Sequence, residues 1–341
     1  MKNKLKLFAA FLAVSGIAFA DVALSETISV GGFVDMSYSD GEGESTVGID
    51  QVEVDFSIDN GSPVTARINV QYEDGENEDG ENQTEIEEAY VTYEVDPSSS
   101  FTFGRFESAL FFDASEPTGL YQVSTAYSSG DIDLVQGIYD LGDQGIRYNY
   151  NGMNNSFTLS LVDNGDSKIA DGTTPALTPN TDGDYSIEAT YGMQFSDQFN
   201  GFLGARMYES ESAGIDDGEL WNAFVTYEVN QWMFAAEYLH YDGPTFGIVE
   251  TSDIADGDLY QLMANYAYND ANSVTFRYSN MDTQLTDSVT DVTTDVKGDK
   301  WTVAHNAALA DNLAVIAEFS RVDLEEADDA DEFAVELLYS F

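Results

Sequence analysis

Hydrophobic and polar positions alternate along most of this chain. At its end Phe333, Val335, Leu337, Tyr339 and Phe341 share one parity, while Ala334, Glu336, Leu338 and Ser340 take the other. This two-residue period is that of a β-strand with unlike faces. Ile28, Val30, Val34, Met36 and Tyr38 repeat it against Ser29, Asp35 and Ser37, and so do Val64, Ala66, Ile68, Val70 and Tyr72. Later faces include Tyr185/Ile187/Ala189/Tyr191, Trp221/Ala223/Val225/Tyr227 and Leu313/Val315/Ala317/Phe319. Counted from end to end, the pattern predicts about sixteen strands.

The connections fall into two alternating sizes. Short ones carry turn residues, such as Asn60-Gly61-Ser62, Asn151-Gly152, Asn230-Gln231 and Ala310-Asp311-Asn312. Long, acidic ones are expected at 74–82, 163–184, 209–219, 242–257, 281–298 and 323–331. A soluble sandwich has no reason to keep its long loops at one end, whereas a membrane barrel has one short-turn rim and one long-loop rim. The expected fold is therefore all-β: a transmembrane antiparallel up-and-down β-barrel whose apolar parity meets lipid and whose mixed parity lines the lumen. Eight strands leave an interior filled by side chains, but about sixteen enclose an aqueous channel.

The N-terminus agrees with that destination. Lys2, Lys4 and Lys6 precede an apolar run over 7–19 that closes on Ala18-Phe19-Ala20, the three parts of a secretory leader. Residues 1–20 are expected to be a signal peptide, leaving 21–341 as one barrel domain. Cysteine is absent, so disulfides do not hold the exported chain together. With 12 Lys+Arg against 63 Asp+Glu, a net charge of −51, nucleic acid is excluded as a natural partner.

One connection differs from the rest. Residues 107–145 form the longest gap between strands and carry Leu110-Phe111-Phe112 and Leu134-Val135. Loops of this length are functional or disordered, and the apolar content argues for order. Folding inward against the wall buries those side chains and narrows the lumen. The alternative is a further hairpin at 132–141, which raises the count to eighteen strands.

These residues carry a family resemblance. Phe103-Gly104-Arg105, followed by Phe112-Asp113, resembles the fifth strand and the entry to the inward-folded third loop of the Gram-negative general porins. Glu116-Pro117-Thr118-Gly119 falls where that loop carries constriction acids, and 145–150 resembles the following strand. Terminal Phe341 resembles the signal read by the barrel-assembly machinery. The resemblance implies an outer-membrane porin, a homotrimer, with Arg105 and Arg147 at the pore constriction.

Parity supports part of this. Arg147 lies between Ile146 and Tyr148, and Arg67 between Ala66 and Ile68, so both point to the lumen, as do Arg206 and Arg277. Arg105 shares the parity of Phe101 and Phe103 and needs a bulge or the strand's end to turn inward. An inward loop brings Asp113, Glu116, Asp131 and Asp133 to a narrow passage, where charge is felt more strongly than on screened outer loops. The expected function is passive diffusion of small hydrophilic solutes and ions with a cation preference. A substrate-specific channel and a non-conducting structural or adhesive barrel are the alternatives.

Enzyme chemistry has little to work with. Neither His240 nor His305 has a nearby nucleophile of the kind a barrel hydrolase uses. The acidic run 74–81 lacks the glycine and terminal glutamate of a calcium loop, so neither a metal site nor a cofactor is expected. Loose divalent-ion bridging to lipopolysaccharide is its expected use, beside contact with outer-membrane lipid.

Overall fold

The computed structural model describes residues 22–41, 44–73, 83–113, 117–129, 132–133, 143–163, 185–209, 217–244, 253–287, 292–325 and 329–341. The expected leader and the acidic 74–82 segment lie outside the described residues. Sixteen strands form one ring. The first five are β1 (Ile28–Gly41), β2 (Glu44–Asp59), β3 (Val64–Glu73), β4 (Ala89–Asp96) and β5 (Ser99–Phe106). After the long connection come β6 (Asp143–Asn151), β7 (Asn155–Asp163), β8 (Tyr185–Gln194), β9 (Phe199–Glu209), β10 (Gly218–Val229) and β11 (Trp232–Pro244). The ring is completed by β12 (Asp253–Asn269), β13 (Asn272–Asp287), β14 (Val292–Ala310), β15 (Leu313–Leu324) and β16 (Ala330–Ser340).

Each strand pairs antiparallel with the next. β16 returns to β1 from Phe33↔Ser340 to Gly41↔Glu332, closing the sheet and removing the free edges an open sheet would expose. The final rung is Phe341, whose N–H donates to Gly32 O at 3.0 Å while Gly32 N–H donates to Phe341 O at 3.1 Å. Just beyond it the two-residue strand Val22–Ala23 pairs with Val30 and Ser29. It stands outside the ring. Ser128–Ser129 and Ile132–Asp133 pair as a separate two-stranded piece, so the eighteen-strand alternative does not describe this barrel.

Burial is inverted relative to a soluble protein. Leu203, Leu262, Phe276 and Trp301 are exposed on the outside, while Glu188, Asn222, Gln261 and Lys300 are buried inside. Only a hydrocarbon solvent makes that arrangement favourable. Aromatic rows mark its limits. On the long-hairpin side Tyr260 lies 6.0 Å from Tyr278, which lies 4.5 Å from Trp301; near the short turns, Trp232 and Tyr266 are 4.6 Å apart.

At the short-turn rim, side-chain carbonyls and carboxylates satisfy turn N–H groups. Asp59 Oδ1 accepts from Gly61 N, Asp96 Oδ1 from Ser98 N and Asn269 Oδ1 from Ala271 N, at 2.8–2.9 Å. Gly61 and Asn230 take the positive φ their turns require, +75° and +55°.

The other rim corrects the sequence reading. The expected loop 281–298 is mostly paired strand, with β13 and β14 in register from Met281↔Gly298 to Asp287↔Val292. β14 is 19 residues long, well beyond the roughly ten a tilted strand needs to cross a bilayer. Past the membrane both faces meet water, so hydrophobic alternation disappears while the Thr- and Val-rich sequence keeps its strand preference. β2 shows a second local effect. Asp35 pairs with Gln51 but Met36 with Ile49, so Asp50 is a one-residue bulge; it places Ile49 and Val52 on the same outer face despite their odd spacing.

Candidate functional site

The connection after β5 enters the barrel and lies along its inner wall. Leu110, Phe111, Ala126 and Tyr127 pack against Leu220, Leu239, Tyr241, Leu259 and Met281, the inward residues of β10 to β13. Deeper in, Phe112 and Tyr121 meet Met233, Ala235 and Met263, and Val123 meets Ala304, Ile316 and Leu338. Each fully buried Leu or Phe contributes about 1.5–3 kcal/mol relative to exposure, so the apolar part of the loop has a direct reason to turn inward. Gly204 on β9 forms a notch for it: a Cβ there would stand 2.3 Å from Leu110 Cδ2.

A loop with little regular structure must find partners for its buried backbone groups. The wall supplies them. Glu188 Oε1 accepts from Ala109 N at 3.0 Å, Asn222 Oδ1 from Phe111 N at 3.1 Å and Glu237 Oε1 from Phe112 N at 2.8 Å. Glu318 Oε2 accepts from Val123 N and Ser124 N at 2.7 and 3.1 Å. Loop carbonyls are met by cations and amides: Arg277 donates to Ser124 O and Thr125 O at 2.9 and 2.8 Å, and Asn306 to Tyr121 O at 2.7 Å. Carboxylate acceptors and guanidinium donors make such bonds roughly twice as strong as neutral ones. They also hold Phe111 at φ +74°, a left-handed conformation that costs a non-glycine residue about 1–2 kcal/mol.

Two charged centres organise the loop. At its middle Asp113 Oδ2 lies 3.3 Å from Arg277 Nη1 and accepts from Ala126 N at 3.0 Å, with both charged side chains buried. Burial holds the Asp113 carboxyl above the usual carboxylate range, against the downward pull of the Arg277 guanidinium and the Ala126 N–H. At its base, Glu107 N donates to Glu88 Oε1 at 3.3 Å, and Glu107 O accepts from Arg147 Nη2 at 2.7 Å. Arg147 also reaches Glu188 at 3.2 Å, and its guanidinium carbon sits 4.2 Å above the Phe106 ring. Glu88 extends the chain to Arg67 at 3.2 Å, which binds Asp55 at 2.7 Å and Glu53 at 3.6 Å.

Among the residues singled out from sequence, Arg67 and Arg147 are lumenal and belong to one network. Arg67 is the more open, with 36% of its side chain exposed. Arg105 keeps outer parity: the β5–β6 register runs unbroken from Phe106↔Asp143 to Ser99↔Tyr150, and no bulge turns it inward. Asp113 sits beneath the loop with Arg277, so it does not face Arg147 across open lumen. Glu116 and Asp131 lie outside the described residues, and Asp133 is placed only as backbone in its short strand. The loop's wall partners Glu188, Asn222, Glu237, Lys300 and Glu318 were missed. Their signal was a polar residue at an inward position between outward apolar ones, as at Ala236-Glu237-Tyr238 and Ala317-Glu318-Phe319.

A closed sixteen-stranded ring with lipid outside, charge inside and a loop folded into the lumen defines an outer-membrane β-barrel of the channel class. The chain belongs to the Gram-negative porin family, whose sequence pattern matches residues 8–327. No curated protein matches it. Its fold is that of solved porins and outer-membrane proteins. An OmpT loop-deletion variant from Vibrio cholerae is 13% identical over 92% of this chain and 99% of that one, with a TM-score of 0.65; OmpT has also been solved in a trimer form. The anion-selective porin from Comamonas acidovorans is 12% identical over 92% and 99%, TM-score 0.64. Salmonella typhi OmpF, in complex with daunomycin, is 14% identical over 94% and 100%, TM-score 0.64. Family and neighbours place the protein in the outer membrane, with the fold of a porin channel.

Proposed function

We propose that the protein is a cation-preferring diffusion porin for small hydrophilic solutes, narrowed by its inward loop. The observation carrying this reading is the charge of one side of the lumen. The inward faces of β15 and β2 present Glu318, Glu53 and Asp55, and among the described residues of β15, β16, β1 and β2 the one basic side chain, Arg321, is exposed on the parity of Phe319 outside. The neighbouring cation, Arg67, is surrounded by three carboxylates. A narrow low-dielectric passage magnifies such an imbalance. Arg147 and Arg67 then face a predominantly acidic lumen.

The test is the reversal potential across a planar bilayer under a salt gradient. Wild type should show cation preference, and Glu53→Gln with Asp55→Asn, which leaves Arg67 less compensated, should shift it toward anions. Anion preference in wild type overturns the proposal; it would make the chain resemble its Comamonas neighbour in selectivity as well as fold. Export through a leader at 1–20, assembly through Phe341 by the barrel-assembly machinery, and a homotrimer supported by the trimeric Vibrio neighbour complete the reading. Lipopolysaccharide is the proposed contact of the acidic outer loops.

A further inference from the structure

On the outer wall, two hollows lie one above the other and share β13 and β14. The lower is an apolar groove of about 530 Å³. Its floor is made shallow-sided by Ala236 and Ala264, and its walls by Phe234, Leu262, Tyr278 and Trp301. Register places Ala236 beside Leu262, Leu262 beside Tyr278 and Tyr278 beside Trp301. The groove lies between the two aromatic rows and therefore inside the hydrocarbon band, where only hydrocarbon fills an apolar concavity without cost.

Two residues further along β13 and β14, and reaching across to β15, is a polar hollow of about 180 Å³. Asn280 is opposite Asp299, and Asp299 opposite Asp323. Glu325 and Lys297 complete it, and Lys297 Nζ is 2.8 Å from Asp282. With Lys297 matched by Asp282, the carboxylates of Asp299, Asp323 and Glu325 leave the hollow negative. Tyr278 joins the two hollows: its ring lies tilted against Trp301 and its hydroxyl donates to Asp299.

We propose that these hollows are one site for a single phospholipid with an ammonium-bearing zwitterionic head. Its chains lie in the groove and its ammonium meets Asp299, Asp323 and Glu325. An anionic head brings no ammonium to the three carboxylates and is repelled by them. The site is on the outer wall, so its test is independent of conduction.

Native mass spectrometry of the purified barrel, titrated with phosphatidylethanolamine, phosphatidylglycerol of matched chains, or lipopolysaccharide, reads the preference directly. Wild type should retain one phosphatidylethanolamine about tenfold more tightly than phosphatidylglycerol, a difference of about 1.4 kcal/mol. Asp299→Asn with Asp323→Asn should erase that preference and keep the binding, whereas Ala264→Phe should weaken retention of both lipids. Equal retention of the two phospholipids by wild type, stronger retention of lipopolysaccharide, or full retention in a folded Ala264→Phe barrel overturns the proposal.

Discussion

Replacing Arg277 with Met should loosen the inward loop and widen the channel. The substitution keeps most of the side-chain volume but leaves Asp113 buried without its cation and removes the donors to Ser124 O and Thr125 O. Breaking one partner of a buried pair costs about 3–5 kcal/mol. Part of this cost is relieved if the loop leaves the wall, so the variant should show both lower thermal stability in detergent and higher, noisier single-channel conductance. Asp113→Asn in the Arg277→Met background should recover part of the stability, because no buried charge is then stranded. Conductance and melting temperature both equal to wild type would show that the pair does not hold the loop.

A second substitution with a large expected effect is Gly32→Ala, at the seam where the ring closes. Gly32 has φ +151°, and a Cβ there would lie 2.1 Å from the Glu53 carbonyl oxygen and 3.1 Å from the Phe341 ring. The backbone conformation alone costs a side-chain-bearing residue about 1–3 kcal/mol, and overpacking adds about 1–3 kcal/mol. The clash falls on backbone that pairs β1 with β2 and on the last rung to Phe341, so relief requires opening the seam. Heat-modifiable mobility on gels, which reports folded barrel, should drop sharply. Gly61→Ala is the matched comparison: Gly61 also has positive φ, +75°, but nothing lies within 4 Å of its added Cβ, so it should lose much less. Equal yields from the two variants would remove the seam from the explanation.

The parts of this molecule that face lipid were legible in its sequence because hydrocarbon imposes a strict rule on alternate residues. Ile187, Val225, Tyr227, Phe319 and Phe333 were placed on outer faces by parity and are found exposed there. That rule lapses where the strands leave the bilayer, which is why 281–298 read as a loop although its ends continue in register. The long connection betrayed its inward course through Leu110-Phe111-Phe112. Its wall contacts were not legible, because Phe112 meets Glu237 and Val123 meets Glu318 across separations of 125 and 195 residues. Parity showed that Arg277 points inward, but no local pattern names Asp113 as its partner. Arg105 shows the reverse: family resemblance suggested the lumen, while the simpler parity rule gave its observed face.

Single-channel recording in planar bilayers tests most directly whether this barrel is an open, loop-narrowed channel. Purified wild-type protein should insert in discrete steps, each with a conductance that rises in proportion to bulk salt, as an aqueous path without a saturable site requires. Insertion verified by protease protection with no conductance steps, or a conductance that saturates at low salt, would contradict it.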